Sequence, residues 1–269
     1  MQRQLVVALA GSVAACAVAT AMQDGGVDAG SDVAQPDATA DAPVKDAAGD
    51  ATDAANDSAA EAASSFASLQ VNEVAPNITA NADLIELYAV SGGDIGGITV
   101  EQDISTSLVL ATLPSITVAT GDFIVVHLAA SGGVTTETTS KTGCTAAACY
   151  PGAWDVVGGS TGITYTGRVL LARGPDAGIQ DGVAFYNSAA VSPATFYVQV
   201  EDLQDAGQWL PANCSGNPCS TNALAQGISA NWAGTGTTTA KSVARAGNAD
   251  TNTKADWAVG TSSFGATNP

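Results

Sequence analysis

From residue 69 onward, hydrophobic and polar positions alternate over short stretches that glycine, asparagine or proline interrupts. Leu84, Glu86 and Tyr88, for example, alternate with Ile85 and Leu87. A period of two residues places successive side chains on opposite faces of a β-strand. The pattern therefore predicts strands over residues 69–74, 84–90, 97–101, 107–111, 117–118, 123–128, 167–172, 182–186 and 195–200.

Glycine-rich turns separate these stretches, and the pattern contains no convincing amphipathic helix. Paired glycines stand at residues 92–93, 96–97, 132–133 and 158–159, where they indicate turns rather than helices. Many short strands with such turns are typical of an all-β sandwich or barrel. Roughly 200 residues are enough to bury the core of one such domain.

This part of the chain contains a series of short motifs. The first half carries them at residues 71–74 (VNEV), 83–88 (DLIELY), 94–100 (DIGGITV), 113–114 (LP) and 120–126 (TGDFIVV). The second half continues with residues 167–171 (GRVLL), Gly178, Asp181, Val183 and Phe185, and ends with Ser242, Arg245, Asp250, Thr251, Asp256 and Trp257. These motifs resemble those of the bacterial form of the lamin tail domain. The resemblance implies an immunoglobulin-like β-sandwich over residues 68–269, with the last thirty residues inside the fold.

The N-terminus has the features of an export signal. Residues 1–4 form a short basic region, and residues 5–15 form a mostly apolar run that is too short to span a bilayer. Residues 13–16 (VAAC) resemble the lipobox of bacterial lipoproteins, which implies a signal peptide over 1–15 and acylation of Cys16. In that family Ala17 favours the outer membrane or cell surface. The alternative is cleavage after Ala21, which gives a soluble secreted protein.

Residues 16–67 are predicted to be a disordered acidic tether. They contain ten acidic residues and one base, Lys45, in a background rich in alanine. Acids about four residues apart would stack like charges on one face of a helix, which opposes helix formation. The whole chain has a formal net charge of −18, so a phosphate backbone would be repelled and no nucleic-acid partner is expected.

Four cysteines remain after Cys16, in two pairs with the same C-x4-C spacing: Cys144 with Cys149, and Cys214 with Cys219. In an exported chain this number indicates a disulfide framework, for which three connectivities are open. We expect the two local pairs. A zinc site made of four thiolates is the less favoured alternative, because an oxidising compartment favours disulfides.

Three patterns could carry catalytic chemistry. Residues 158–162 (GGSTG) match the G-x-S-x-G nucleophile motif, but residues 163–166 continue as a predicted strand rather than a helix, and no histidine follows. His127, the only histidine, shares a strand face with Phe123 and Val125 and is expected to be structural. Glu73 and Glu86 form a possible carboxylate pair, for which we prefer a structural role.

Two further patterns could bind ligands. Asn248, Asp250, Asn252 and Asp256 have spaced oxygen ligands, but glycine and glutamate are missing at the sixth and twelfth positions of a calcium loop, so turns and Asx hydrogen bonds are preferred. Of the four tryptophans, we expect Trp257 in the core. Trp154 and Trp209, each close to a cysteine pair, are the candidates for binding a sugar or a protein.

The sequence predicts a lipoprotein of the outer membrane or cell surface that presents a non-enzymatic interaction or scaffold domain. No cofactor and no metal site are expected. The predicted partners are the membrane, through the lipid anchor, and a protein or glycan that the sequence does not identify. The alternative is a carbohydrate-binding or adhesion module that uses the loop tryptophans, and the third hypothesis is a secreted hydrolase.

Overall fold

The computed structural model describes residues 65–76, 83–129, 149–236 and 240–269. In these ranges the chain forms strands in three sheets and two short α-helices. The strands are β1 (Ser68–Ala75), β2 (Asp83–Ser91), β3 (Gly93–Asp94), β4 (Thr99–Gln102), β5 (Leu108–Thr112), β6 (Thr117–Val118), β7 (Phe123–Leu128), β8 (Ala153–Val157), β9 (Arg168–Arg173), β10 (Ile179–Tyr186), β11 (Ala230–Asn231), β12 (Lys241–Arg245) and β13 (Trp257–Thr261). The helices are α1 (Phe196–Asp205) and α2 (Asn222–Ile228).

The first sheet has six strands in the order β13-β12-β1-β2-β7-β8. Its neighbours pair antiparallel except β7 and β8, which are parallel. β2 alternates as the sequence predicts, because Ile85 and Leu87 enter the main core while Leu84 belongs to a second, smaller cluster on the other face. This sheet therefore has two covered faces.

The second sheet has five strands in the order β11-β10-β9-β4-β5, and β3 pairs with β6 in a small two-stranded sheet. Buried side chains of the two large sheets form one continuous core, with Leu87 and Val126 from the first sheet and Leu171 and Phe185 from the second. Two sheets that share a core form a β-sandwich. The prediction of an all-β sandwich is confirmed.

The predicted strand over residues 195–200 is wrong, because helix α1 occupies this segment. Phe196, Val200 and Leu203 are fully buried, and their spacing of four and three residues defines one face of a helix. Phe196, Val198 and Val200 also alternate as they would in a strand. Over six residues the two periods cannot be separated, and only Leu203 distinguishes them.

Helix α2 is a second departure from the prediction that the domain lacks helices. It begins after Thr221, whose hydroxyl accepts a hydrogen bond from the backbone N–H of Leu224 at 3.4 Å. Asn222 of α2 accepts a hydrogen bond from the backbone N–H of Tyr197 at 3.1 Å. The second helix thus satisfies a free donor at the start of the first, which lacks a side-chain cap of its own.

Other departures concern strands. Strand β8 lies in a stretch that the pattern leaves as a loop, whereas β12 and β13 lie in the segment that the motif resemblance includes in the fold. Residues 163–166 contain no strand, so that prediction is wrong. No helix among the described residues is long and apolar enough to cross a membrane.

Candidate functional site

A pair of buried glutamates lies on the outer face of the six-stranded sheet. Glu73 of β1 and Glu86 of β2 are direct partners in the antiparallel register, and both are 0 % exposed. The register shifts between Val71 and Glu73, as at a β-bulge, which changes the direction of side chains on a strand. Like charges directly opposite each other destabilise a sheet, so this pair needs donors or protons.

Residues 262–269, which we call the strap, cover the glutamate pair. The backbone N–H of Ser263 donates to Oε1 of Glu73 at 2.8 Å, and that of Gly265 donates to Oε2 of Glu86 at 2.5 Å. Phe264 is buried in the same small cluster as Leu84, Val125, Ala75 and Ala153. The strap is therefore held against the sheet by hydrogen bonds to two carboxylates of the sheet and by the packing of its own aromatic ring.

Burial sets the protonation of the glutamate pair. It raises the pKa of Glu86 to about 8, although hydrogen bonds from Gly265 and Asn72 oppose the shift. Burial also raises the pKa of Glu73, against hydrogen bonds from Ser242 and Ser263. Because removal from water disfavours the charged form of a carboxyl group, the pair retains a proton at neutral pH.

A histidine and an aspartate lie beside the glutamates on the same face. Nε2 of His127 in β7 lies 2.8 Å from Oδ1 of Asp155 in β8, and both residues are almost fully buried. The backbone N–H of Tyr150 donates to both oxygens of Asp155, at 3.2 and 3.1 Å. The rings of His127 and Tyr150 stack at 6.0 Å between centroids. We call Glu73, Glu86, His127 and Asp155 the carboxylate face.

A second buried charged cluster, the arginine cluster, bridges the two large sheets. Arg245 of β12 is 0 % exposed and forms ion pairs at 2.8 Å with Asp181, 2.6 Å with Asp250 and 3.4 Å with Asp256. Its Nε donates to the carbonyl of Val71 at 2.7 Å. Its guanidinium lies 4.8 Å from the ring centroid of Trp257. Burial raises the pKa of Asp181, and the charge of Arg245 opposes this shift.

The hydrogen bonds of the arginine cluster support the structural interpretation of residues 248–256. Asp256 accepts from the backbone and hydroxyl of Thr251 and from the backbone of Thr253. Asp250 accepts from Arg245 and from the backbone N–H of Asn252 at 3.0 Å. These aspartates form Asx turns and pair with Arg245. No group of three or more His, Cys, Asp or Glu that could hold a metal ion is found in the described part of the chain.

The structure separates the two tryptophans that were candidates for ligand binding. Trp209 is fully buried, and its indole N–H donates to the carbonyl of Ile228 at 3.1 Å. The prediction that it binds a ligand from an exposed loop is therefore corrected, because Trp209 fills the core beneath the helices. Trp154 in β8 is partly buried and donates to Oδ2 of Asp122 at 2.9 Å. Trp257 is a core residue, as expected.

The described cysteines are oxidised. Cys214 and Cys219 form a disulfide with an S–S distance of 1.99 Å and a Cα–Cα distance of 4.9 Å, which confirms the predicted local pair. Cys149 is also disulfide-bonded. Its expected partner, Cys144, lies outside the described residues, and so does the predicted acylation site, Cys16.

The G-x-S-x-G match at residues 158–162 follows strand β8, but no helix follows it. The backbone N–H of Gly159 donates to the carbonyl of Leu110 at 2.7 Å, and the N–H of Ile163 donates to Asp83 at 2.5 Å. The segment is therefore hydrogen-bonded to strand β5 and to the first residue of strand β2. It lacks the strand–turn–helix context of a nucleophile elbow.

Sequence reasoning identified Glu73, Glu86 and His127 but not the groups around them. Asp155, Tyr150 and the strap were missed, because they come from a stretch left as a loop and from the last residues of the sequence. The only sequence feature that could have indicated a larger buried site was the motif that includes Asn72 and Glu73. In the fold, Asn72 donates to Oε1 of Glu86 at 2.8 Å, so that motif belongs to the same buried site.

Comparison with known proteins adds one family match. A family model described as "protein second domain" matches residues 67–259. No curated protein matches the chain. The matched range begins beside β1 and ends within β13, so it includes the carboxylate face and the arginine cluster but ends before the strap.

Proposed function

We propose that the β-sandwich of this chain, which belongs to the family described as "protein second domain", is a non-enzymatic interaction domain that an acylated Cys16 tethers to the cell envelope. The acidic stretch of residues 16–67 would hold the domain away from the membrane surface. Its ten acidic side chains, against a single base, repel one another, and such repulsion would extend the chain. The partner would then be a protein or glycan within reach of the tether.

The closure of the carboxylate face is the observation that carries the non-enzymatic part of the proposal. Glu73 and Glu86 are the residues whose pKa values and pairing most resemble a catalytic dyad. Each of the four carboxylate oxygens lies within hydrogen-bond distance of one of the protein's own groups, which come from Asn72, Ser242, Ser263 and Gly265. A substrate would have to displace the strap to reach them.

Export is supported by the oxidised cysteines. Disulfides such as Cys214–Cys219 form and persist in oxidising compartments. The apolar run over residues 5–15 followed by Cys16 matches a lipoprotein signal. Together they favour an anchored envelope protein.

We also propose that the domain is of the lamin tail type. The residues of the resembling motifs, which are distant in sequence, meet in the two buried polar clusters. Glu73 and Glu86 pair across β1 and β2, and the hydroxyl of Ser242 donates to Glu73. Arg245 meets Asp181 and the residues of the closing motif. These motifs therefore have a structural role, which is consistent with a scaffold.

Intact mass spectrometry tests the anchor. The protein is recovered from the membrane and soluble fractions of a bacterial host, with a Cys16→Ser variant as control. We expect a membrane-bound chain that begins at Cys16 and carries acyl groups, and a Cys16→Ser variant that is not acylated. A soluble wild-type chain that begins at Met22 would overturn the anchor.

Binding and hydrolysis assays test the interaction domain. The carbohydrate-binding alternative now depends on Trp154, because Trp209 is buried. Glycan-array binding that is lost in Trp154→Ala would support this alternative. Hydrolysis of ester, glycan or peptide substrates that is lost in Glu86→Gln would instead support an enzyme and overturn the proposal.

A further inference from the structure

The strap lies over two facing carboxyl groups that have no cationic partner among the residues that the structure describes. Glu73 and Glu86 take part in none of the ion pairs found among the described residues. In the described part of the chain, the other titratable groups on this face are Tyr150, Asp155 and His127. The strap itself contains no ionisable side chain. Two ionised glutamates in this closed site would repel each other without a compensating charge.

The hydrogen bonds around Glu73 are compatible with a protonated carboxyl group. The hydroxyl of Ser263 lies 3.1 Å from Oε2 of Glu73 and 2.7 Å from Oδ1 of Asn268. The amide of Asn268 is oriented by its donation to the carbonyl of Asn72 at 3.2 Å. A serine hydroxyl has one proton, so it donates to Asn268 when a protonated Glu73 donates to it. This arrangement satisfies all three groups.

The hydrogen bonds around Glu86 do not accommodate a proton in the same way. Its Oε1 accepts from Nδ2 of Asn72 at 2.8 Å, and its Oε2 accepts from the backbone of Gly265. Both neighbours are donors, so a proton on either oxygen would face another proton. The hydrogen bonds therefore favour the proton on Glu73, whereas the pKa of about 8 is that of Glu86, so the titration is a property of the two coupled groups.

We propose that the strap is a proton-dependent latch, closed while the Glu73–Glu86 pair holds a proton and released when that proton is lost. In the closed state the proton completes the chain of hydrogen bonds from Glu73 through Ser263 to Asn268. In the open state both carboxylates meet water, Phe264 leaves its cluster, and the apolar side chains of Leu84 and Val125 become exposed. The latch operates whichever partner the domain binds.

The direction of the pH dependence follows from proton linkage. Carboxyl groups in water have a pKa of about 4.3, whereas that of Glu86 in the closed state is about 8. The closed state thus binds a proton that the open state has released in this interval. Its equilibrium constant falls about tenfold for each pH unit between roughly pH 5 and 8. Acid closes the strap and alkali opens it.

Hydrogen exchange followed by NMR tests the latch at pH 5, 6, 7 and 8. Protection factors of the Ser263 and Gly265 amides, corrected for intrinsic exchange, are expected to fall by up to about 100-fold from pH 5 to pH 7 in the wild-type domain. Amides of strand β9 in the other sheet serve as an internal reference. Wild-type protection that does not change with pH would overturn the proposal without any variant.

Glu73→Gln is the informative variant. Its amide oxygen accepts from Ser242 and Ser263, and its amide nitrogen donates to the Ser263 hydroxyl, so it imitates the protonated residue. We expect the protection of its strap amides to depend less steeply on pH than in the wild type, because residue 73 then has no proton to lose. The matched control is Glu101→Gln, a buried glutamate that pairs with Arg173 in the other sheet, which should keep the wild-type slope. Equal slopes in Glu73→Gln and wild type would overturn the latch.

Discussion

At the scale of single residues, Arg245 connects parts of the chain that are far apart. Its side chain is fully enclosed, and it contacts Asp181 of the other large sheet, the carbonyl of Val71 and the ring of Trp257. A buried charge that loses its partner is costly because neither water nor another ion replaces it. Arg245 therefore joins the two sheets, because its buried charge requires the opposite charge of Asp181 in the other sheet.

Replacing Arg245 by methionine is expected to reduce the free energy of unfolding by about 3–5 kcal/mol. The change leaves Asp181 buried beside no cation. Urea denaturation at pH 7 measures the effect. In the control, Arg173→Met, the removed side chain is 20 % exposed and pairs with Glu101 at 3.1 Å, so we expect about 1 kcal/mol. Equal losses in the two variants would contradict the role assigned to Arg245.

Trp209→Ala is expected to destabilise the domain by about 3–5 kcal/mol, since the substitution leaves a cavity in the core. Trp154→Ala is expected to cost less, because Trp154 is only partly buried. Thermal unfolding of both variants, followed by circular dichroism, provides the comparison. A Trp209→Ala domain as stable as the wild type would mean that this side chain is not packed as described.

At the scale of elements, the segment between α1 and α2 is closed by the Cys214–Cys219 disulfide. The bond joins residues only five positions apart, so it restricts a short loop in the unfolded chain. For a loop of this length the chain-entropy model gives about 2 kcal/mol. Replacing both cysteines by serine should lower the free energy of unfolding by that amount, as measured by urea denaturation without reductant. A loss well above 4 kcal/mol would show that packing of the sulfur atoms dominates.

Local periodicity explains which elements could be predicted from the sequence. Strands β1, β2, β7 and β9 have alternating or continuous apolar runs, which a strand and its turns define locally. Helix α1 was missed because its first five residues also alternate. The strap could not be predicted, since Ser263 and Glu73 are 190 positions apart. No short-range pattern encodes such a contact, although Glu73 itself stood out as a charged residue within a strand.

At the scale of the whole molecule, the domain combines an acidic surface with carboxyl groups buried in its interior. The formal net charge of the whole chain is −18 at pH 7, and nearly all exposed carboxylates are ionised already at pH 5. Carboxylates whose pKa is lowered by the fold, such as Glu101, release their stabilisation only at more acidic pH. Between pH 5 and 8, changes in stability therefore report mainly the carboxyl groups whose pKa burial raises.

The free energy of unfolding is accordingly expected to fall as pH rises from 5 to 8. A carboxyl group with a raised pKa in the fold contributes its stabilisation below its unfolded pKa, and this contribution is lost as pH approaches the folded value, about 8 for Glu86. The release of one proton lowers the free energy of unfolding by at most about 4 kcal/mol between pH 5 and pH 8. Urea denaturation followed by tryptophan fluorescence at pH 5, 6, 7 and 8 measures the decline. Glu73→Gln should make the decline shallower, because the amide keeps the hydrogen bonds of Glu73 without a proton to lose, although Glu86 still titrates; Glu101→Gln should leave the decline unchanged. A wild-type domain whose stability rises between pH 5 and 8 would place the dominant titrating groups elsewhere and remove the basis for an acid-stabilised fold.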